Sequence, residues 1–321
     1  MINKILNNRY LILYLVPFLL GVLTVFSFQP FNLSVINFIL LPIFFLTVVY
    51  VKKKSQSVYR KKPYRKNLFL LGLVFGFGFY LSGIFWVSYS LTFDESLKFL
   101  IPVALVLLPF FLSLFTGLTI LIIGQYLSYN FSSILLFSGS LALSDYVRGK
   151  VLSGFPWNIW GYSWSWLTEV LQIVNLIGLF AYNTLVITIF TIPAIFFFKN
   201  VGNKKTLIML LKLLTIFLIY IYGSYSINKN NNLLKQHDEN NKLYTKIISP
   251  NFELKYDLSI NEVENKLKKI IRYSDPNPKK KTLFIWPEGI FTGYNFNEIS
   301  EFSYLVKENF KENHFILFGI N

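Results

Sequence analysis

The sequence predicts a polytopic α-helical membrane domain of about seven transmembrane helices, residues 1–225, followed by a soluble α/β domain over residues 226–321. Three observations predict it. Long apolar runs recur through the first two thirds of the chain, basic residues gather in alternate loops between them, and beyond residue 222 short strands alternate with amphipathic helices. Of the 321 residues 54% are hydrophobic and only 15% charged, whereas a soluble domain carries about a quarter charged residues. An ordinary cytosolic enzyme is excluded. The 34 Phe and 20 Tyr suit lipid-facing and interfacial positions.

Seven runs approach the length needed to cross about 30 Å of hydrocarbon: residues 10–28, 35–51, 68–91, 99–123, 131–147, 176–198 and 207–222. The first is too long in its apolar core for a cleaved signal and no small-residue cleavage site follows Phe28, so it is expected to be retained. Lys4 and Arg9 precede the first run, KKKSQSVYRKKPYRK (residues 52–66) joins the second to the third, and Lys199, Lys204 and Lys205 lie between the sixth and seventh. With the amino terminus inside, all three segments fall on the cytoplasmic side. The loop with Asp94 and Glu95, the loop 148–169 and everything after Tyr222 then fall outside.

The net charge of +15 belongs to this half. Residues 1–222 carry 17 Lys and Arg against 4 acidic residues, and residues 223–321 carry 14 against 12. The excess is an orientation signal, and no nucleic-acid partner is implied. Lys212 lies inside the seventh run, within snorkelling reach of its cytoplasmic end. Gly72, Gly76 and Gly78 in the third run are expected to permit close helix packing.

In the soluble half, 243–248, 282–286 and 314–318 read as strands, and 260–273 and 297–310 as helices. This βαβαβ order predicts parallel strands. Chemistry in such sheets sits beyond the strands' carboxyl ends, here at residues 250–256 and 287–294. No cysteine is present, and the two histidines, His237 and His314, are too few and too scattered for a His-based metal site. No metal and no cofactor are expected.

Two segments stand out. In TLFIWPEGIFTGY (282–294) a β-rich run delivers Trp286, Pro287 stops it, and Glu288 stands at the strand's carboxyl end. A carboxylate beside a bulky aromatic there is a candidate general base; an ordinary exposed Glu in a turn is the alternative. SGFPWNIWGYSWSW (153–166), in the outer loop before the sixth run, suits an interfacial aromatic belt through Trp157, Trp160, Trp164 and Trp166. A belt needs no Gly154, Pro156 or Gly161, however, and these favour a shaped loop facing a lipid or the soluble domain. Asp145 and Arg148, three apart, can pair on one helix face.

The order of FSFQPF (26–31), GIFWVSYSL (83–91), DYVRG (145–149), GFPWNIWGYS (154–163), SPNFELKYD (249–257) and WPE (286–288) resembles the apolipoprotein N-acyltransferases, over nearly the whole chain. The resemblance implies a nitrilase-like (carbon-nitrogen hydrolase) αββα domain on the periplasmic face of the bacterial inner membrane, of which 226–321 is the N-terminal part. It implies a Glu, Lys, Cys triad in which the thiolate takes an acyl chain from a phospholipid. The acyl chain then passes to the α-amine of the diacylglyceryl-cysteine of a lipoprotein. Glu288 matches the general base, and Tyr256 falls where the family commonly has an aromatic near the substrate entrance. With Trp157, Trp160 and Tyr162 it is a candidate substrate-binding residue. The expected partners are a phospholipid donor and a diacylated lipoprotein acceptor.

The departure is the missing nucleophile. In the family the strand HFILFGIN (314–321) lies upstream of the catalytic Lys and Cys, so the sequence is expected to be C-terminally truncated and inactive alone. Lys307 and Lys311 are not assigned to the triad. The alternatives are a non-catalytic lipid-binding membrane protein and a membrane-bound nitrilase-type amidase. A transporter is disfavoured, because no internal repeat or acidic intramembrane relay is evident.

Overall fold

The computed structural model describes residues 8–55, 63–152, 154–199, 202, 204–235, 243–253, 255 and 258–319. The chain divides into two units, Met1–Asn232 and Leu233–Asn321.

In the first unit the apolar runs fold as helices: α1 (Val16–Thr24), α2 (Asn37–Ser55), α3 (Pro63–Gly83), α4 (Ile101–Ile123), α5 (Phe131–Arg148), α6 (Leu179–Thr191) and α7 (Lys204–Lys235). Among the described residues, five stretches are long and apolar enough to cross a membrane: Ser34–Lys54, Tyr64–Gly83, Glu95–Ile123, Leu179–Phe197 and Lys204–Lys235. The other two predicted runs are helical but fall outside that group. The apolar helix at Leu11–Ser27 is shorter, and α5 is diluted by serines and by Asp145 and Arg148.

The bundle closes around aromatic side chains. Phe44 of α2 stacks on Phe75 of α3 at 3.9 Å between ring centroids, and Phe45 meets Phe137 of α5 edge-on at 5.4 Å. The glycines of α3 sit where neighbouring helices come nearest. A Cβ on Gly72 would stand 2.7 Å from the Thr116 carbonyl of α4, and Gly76 faces Ser113 and Thr116. Gly78 meets the backbone of Phe18 in α1. Close packing, as expected from their spacing, is their role.

The outward faces are apolar too: Val106, Leu107 and Phe110 of α4, and Leu210, Leu214 and Phe217 of α7, are all exposed. So much exposed apolar surface is accommodated by lipid and penalised by water. Lys212 differs from its expectation. It is buried, with Nζ 4.2 Å from the centre of the Phe38 ring, so the ring face of α2 receives the ammonium. α7 also continues past residue 222 to Lys235, since no Gly or Pro after Gly223 stops it.

In the second unit, β1 (Tyr244–Ile247), β2 (Thr282–Ile285) and β3 (His314–Leu317) form a parallel sheet in the order β1-β2-β3. Tyr244, Thr282 and His314 lie in register. α8 (Ile260–Ser274) begins with a Ser259/Glu262 capping box, which satisfies backbone donors at the helix start. Its buried stripe, Val263, Leu267, Ile270 and Ile271, packs in one cluster with Phe284, Trp286 and Phe310. On the alternate positions of the strands, Ile247, Phe315 and Leu317 are exposed.

The predicted helix 297–310 is two helices, α9 (Phe296–Ser300) and α10 (Ser303–Asn309). An Asn295/Glu298 box starts α9, and Ser300 Oγ donates back to the Asn297 carbonyl at 2.6 Å. Such local side-chain bonds compete with helix continuation.

Candidate functional site

Each unit carries one constellation. In the first unit it is the loop that follows α5. Gly154 has φ +80°, and a Cβ there would stand 2.5 Å from the Gly149 carbonyl, so the chain can reverse here only with glycine. The reversal returns Phe155 to the end of α5, where its N–H donates to the Arg148 carbonyl at 3.1 Å.

Arg148 is 1% exposed. Its Nη1 donates to the carbonyls of Phe155 (2.5 Å) and Trp157 (2.8 Å), and its Nη2 to Asp145 Oδ1 at 3.1 Å. The other carboxylate oxygen, Asp145 Oδ2, accepts from Asn183 Nδ2 of α6 at 2.9 Å. Asn183 Oδ1 in turn accepts the Gly161 N–H at 3.0 Å. Gly161 also lies flat on Tyr182, since a Cβ would be 2.9 Å from that ring.

The candidate side chains of this loop part company. Trp160 is buried, stacked on Phe79 at 5.5 Å and on Phe75 at 6.4 Å. Trp157 is 51% exposed and meets Trp86 edge-on at 5.3 Å. Tyr162 is exposed as well. Trp164 stacks on Phe190, and Trp166 Nε1 donates to Ser34 Oγ at 3.2 Å. Through Trp157 and Tyr162 the loop offers an outward aromatic surface, which suits binding.

In the second unit, Glu288 stands just past the carboxyl end of β2 and is exposed. The neighbouring Trp286 indole turns into the core and donates from Nε1 to Ser274 Oγ at 3.0 Å. Glu288 lines a cavity of about 220 Å³ with residues 249–253, Lys266, Pro287, Gly289 and Ile290. Both predicted strand ends thus contribute to one cavity. Gly319, beyond β3, admits the carboxylate side chain: a Cβ there would be 2.7 Å from Glu288 Cγ.

Hydrogen bonds tie the two loops together, from Thr292 Oγ1 to the Lys255 carbonyl and from Tyr294 OH to the Leu258 carbonyl at 2.8 Å. Lys266 Nζ donates to the Ile290 carbonyl at 3.2 Å and lies over the Phe252 ring. Burial, with repulsion from Lys255, lowers the Lys266 pKa against the pull of Glu262. Tyr256 lies outside the described residues.

Trp86, Asn183 and Lys266 were not among the expected site residues. A lone amide inside the run NTLVITIF (183–190) was the available signal for Asn183. Lys266 carries no signal beyond its place on the polar side of an amphipathic helix.

A helical bundle with apolar outward faces, a clamped aromatic loop and, among the described residues, five helices long enough to cross a membrane, followed in the chain by a parallel α/β unit with a carboxylate at a strand end, is the architecture of a membrane protein. The family model "Apolipoprotein N-acyltransferase N-terminal domain" matches residues 20–192, over half of the chain. The chain belongs to the apolipoprotein N-acyltransferase family. It is 26% identical over 288 residues to the apolipoprotein N-acyltransferase of Rhodopseudomonas palustris, covering 86% of this chain and 51% of that protein. Those of Bradyrhizobium diazoefficiens and Rickettsia bellii are each 32% identical, over 181 and 161 residues. These cover 56% and 50% of this chain, and 33% and 32% of the relatives. The chain spans about half the length of the first curated relatives it matches. The clamped loop lies inside the family match, and Glu288 outside it.

Proposed function

We propose that the chain serves lipoprotein N-acylation. A cysteine thiolate attacks a phospholipid ester carbonyl, the lysophospholipid leaves, and a thioester remains on the enzyme. The α-amine of a lipoprotein's diacylglyceryl-cysteine then attacks that thioester, forming the amide and releasing the thiol. Glu288 is the general base that takes the proton from the thiol and returns it to the departing lysophospholipid oxygen, then takes a proton from the amine and returns it to the departing sulfur. The family match across the bundle carries this proposal, and the strand-end position of Glu288 agrees with the role.

The proposal includes about seven spans in residues 1–225 and a periplasmic nitrilase-like domain from residue 226, in the bacterial inner membrane. The basic segments 52–66 and 199–205 support that orientation. Trp157, Trp160, Tyr162 and Tyr256 belong to the substrate-binding surfaces, Trp160 from within. The donor is a phospholipid and the acceptor a diacylated lipoprotein.

The 321 residues contain no cysteine, which favours one second reading, a lipid-binding membrane scaffold without catalysis. With purified residues 1–321, bound phospholipid without thioester formation agrees with both readings. The deciding assay is complementation of cells depleted of N-acyltransferase with the whole gene. Triacylated lipoproteins are expected with Glu288 intact, and loss of acyl-thioester with membrane insertion retained is expected for Glu288→Gln. Undiminished turnover in that variant removes Glu288 from the mechanism.

A further inference from the structure

Three buried polar side chains take no part in the acyl-transfer chemistry, yet they determine the shape of the outer loop. Arg148 grips the loop's beginning through the carbonyls of Phe155 and Trp157, Asn183 grips its far side through the Gly161 N–H, and Asp145 joins the two. An ion pair that merely closed a helix end would be satisfied at the surface. This one is buried, and a buried pair is a poor source of stability in itself.

Every hydrogen bond that Arg148 and Asn183 make in the structure goes to the loop or to Asp145; the guanidinium also lies 5.2 Å over the Tyr80 ring of α3, and its Nε is buried without a hydrogen-bond partner among the described residues. Between the anchor points lie Trp157, turned outward beside Trp86, and Trp160, turned inward onto Phe75 and Phe79.

We propose that Asp145, Arg148 and Asn183 are positioning residues that hold the aromatic outer loop preformed for the phospholipid donor. The identity of the donor rests on the acyl-transfer proposal; the placement of the loop rests on geometry alone. A preformed loop avoids the ordering cost that a loose one would incur on each binding event. The planar guanidinium is what allows one side chain to reach two carbonyls and a carboxylate together, and a lysine ammonium retains the charge without that fork.

Residues 1–321 contain no cysteine, which provides the test. Ser163→Cys places a nearly isosteric thiol at a buried loop position, and Ser138→Cys places one at a buried position of α5. Each is introduced singly into the chain, in vesicles of phosphatidylethanolamine and phosphatidylglycerol, and labelled with a maleimide. Adding Arg148→Lys or Asn183→Leu is expected to raise the labelling rate of Ser163→Cys by about tenfold or more while Ser138→Cys stays protected.

Unchanged protection at both positions overturns the proposal. A rise at both overturns it as well, since the three residues would then support the whole bundle. In the acyl-transfer assay of the whole protein, the same two variants are expected to raise KM for phospholipid about tenfold with kcat nearly unchanged. A loss confined to kcat contradicts the role. Should the unmodified protein transfer no acyl chain, the acyl-transfer proposal fails, and the labelling contrast still decides the placement.

Discussion

In the loop after α5, backbone groups are held from within by a buried arginine and asparagine joined through a buried aspartate; in the turn around Glu288, loop-to-loop hydrogen bonds fix the frame and leave the carboxylate exposed. The surroundings account for the difference. The loop groups that Arg148 and Asn183 hold are shut away from water, so the protein must satisfy them. Glu288, exposed in its turn, can leave that task to water, so its carboxylate stays free. Altering the first constellation should therefore cost stability, and altering the second should cost chemistry alone.

The sharpest way to break this comparison is Arg148→Leu. It leaves the Asp145 carboxylate buried without its cation and frees two loop carbonyls, so a loss of about 3–5 kcal/mol is expected in mixed-micelle unfolding. A loss below about 1 kcal/mol would mean that water reaches the site.

A smaller effect is expected in the second unit from Ser259→Ala, which removes the cap of α8. About 1 kcal/mol should be lost, read as faster amide hydrogen exchange in the first turn of that helix. The same cap gives a pH dependence. The ammonium of Lys255, together with Ser259, holds the Glu262 carboxyl down at about 2, against an ordinary value of 4.5. A depressed carboxylate contributes stability that is fully present above the unfolded value and is lost as pH falls through the folded one. Protection of the first turn of α8 should therefore fall between pH 4.5 and about 2, and Glu262→Gln should abolish that dependence.

The smallest structural effect is expected from Glu288→Gln, whose side chain is exposed and outside the core. Stability should change by less than about 0.5 kcal/mol, although acyl-thioester formation is expected to be lost. A large destabilisation would place Glu288 among structural residues and erase the contrast between the two constellations.

Apolar run length and the switch to alternating strands made much of the architecture legible in the sequence. The three strands and α8 fall within a residue or so of their expected positions, because alternation in TLFI and the SxxE box at Ser259 are local signals. The break between α9 and α10 was not legible, since it depends on a serine turning back on its own helix. Neither was the burial of Lys212, which requires a ring from a distant helix. Glu288 could be found because Pro287 ends a strand beside it. The clamp on the outer loop could not, because Asn183 is a single amide 35 residues beyond Arg148, and its meaning appears only when α5 and α6 lie together.

The buried positions of α7 have a consequence for sequence drift. Lys212, Ile219 and Gly223 are spaced seven and four apart, so they form one narrow stripe along a helix whose other described positions are exposed or only partly buried. A saturating substitution scan of α7 should tolerate any apolar residue around most of the circumference and reject change along that line. The helix would then diverge quickly among relatives in its lipid-facing letters while keeping a three-position signature, the last of them a glycine pressed against the backbone of Glu169.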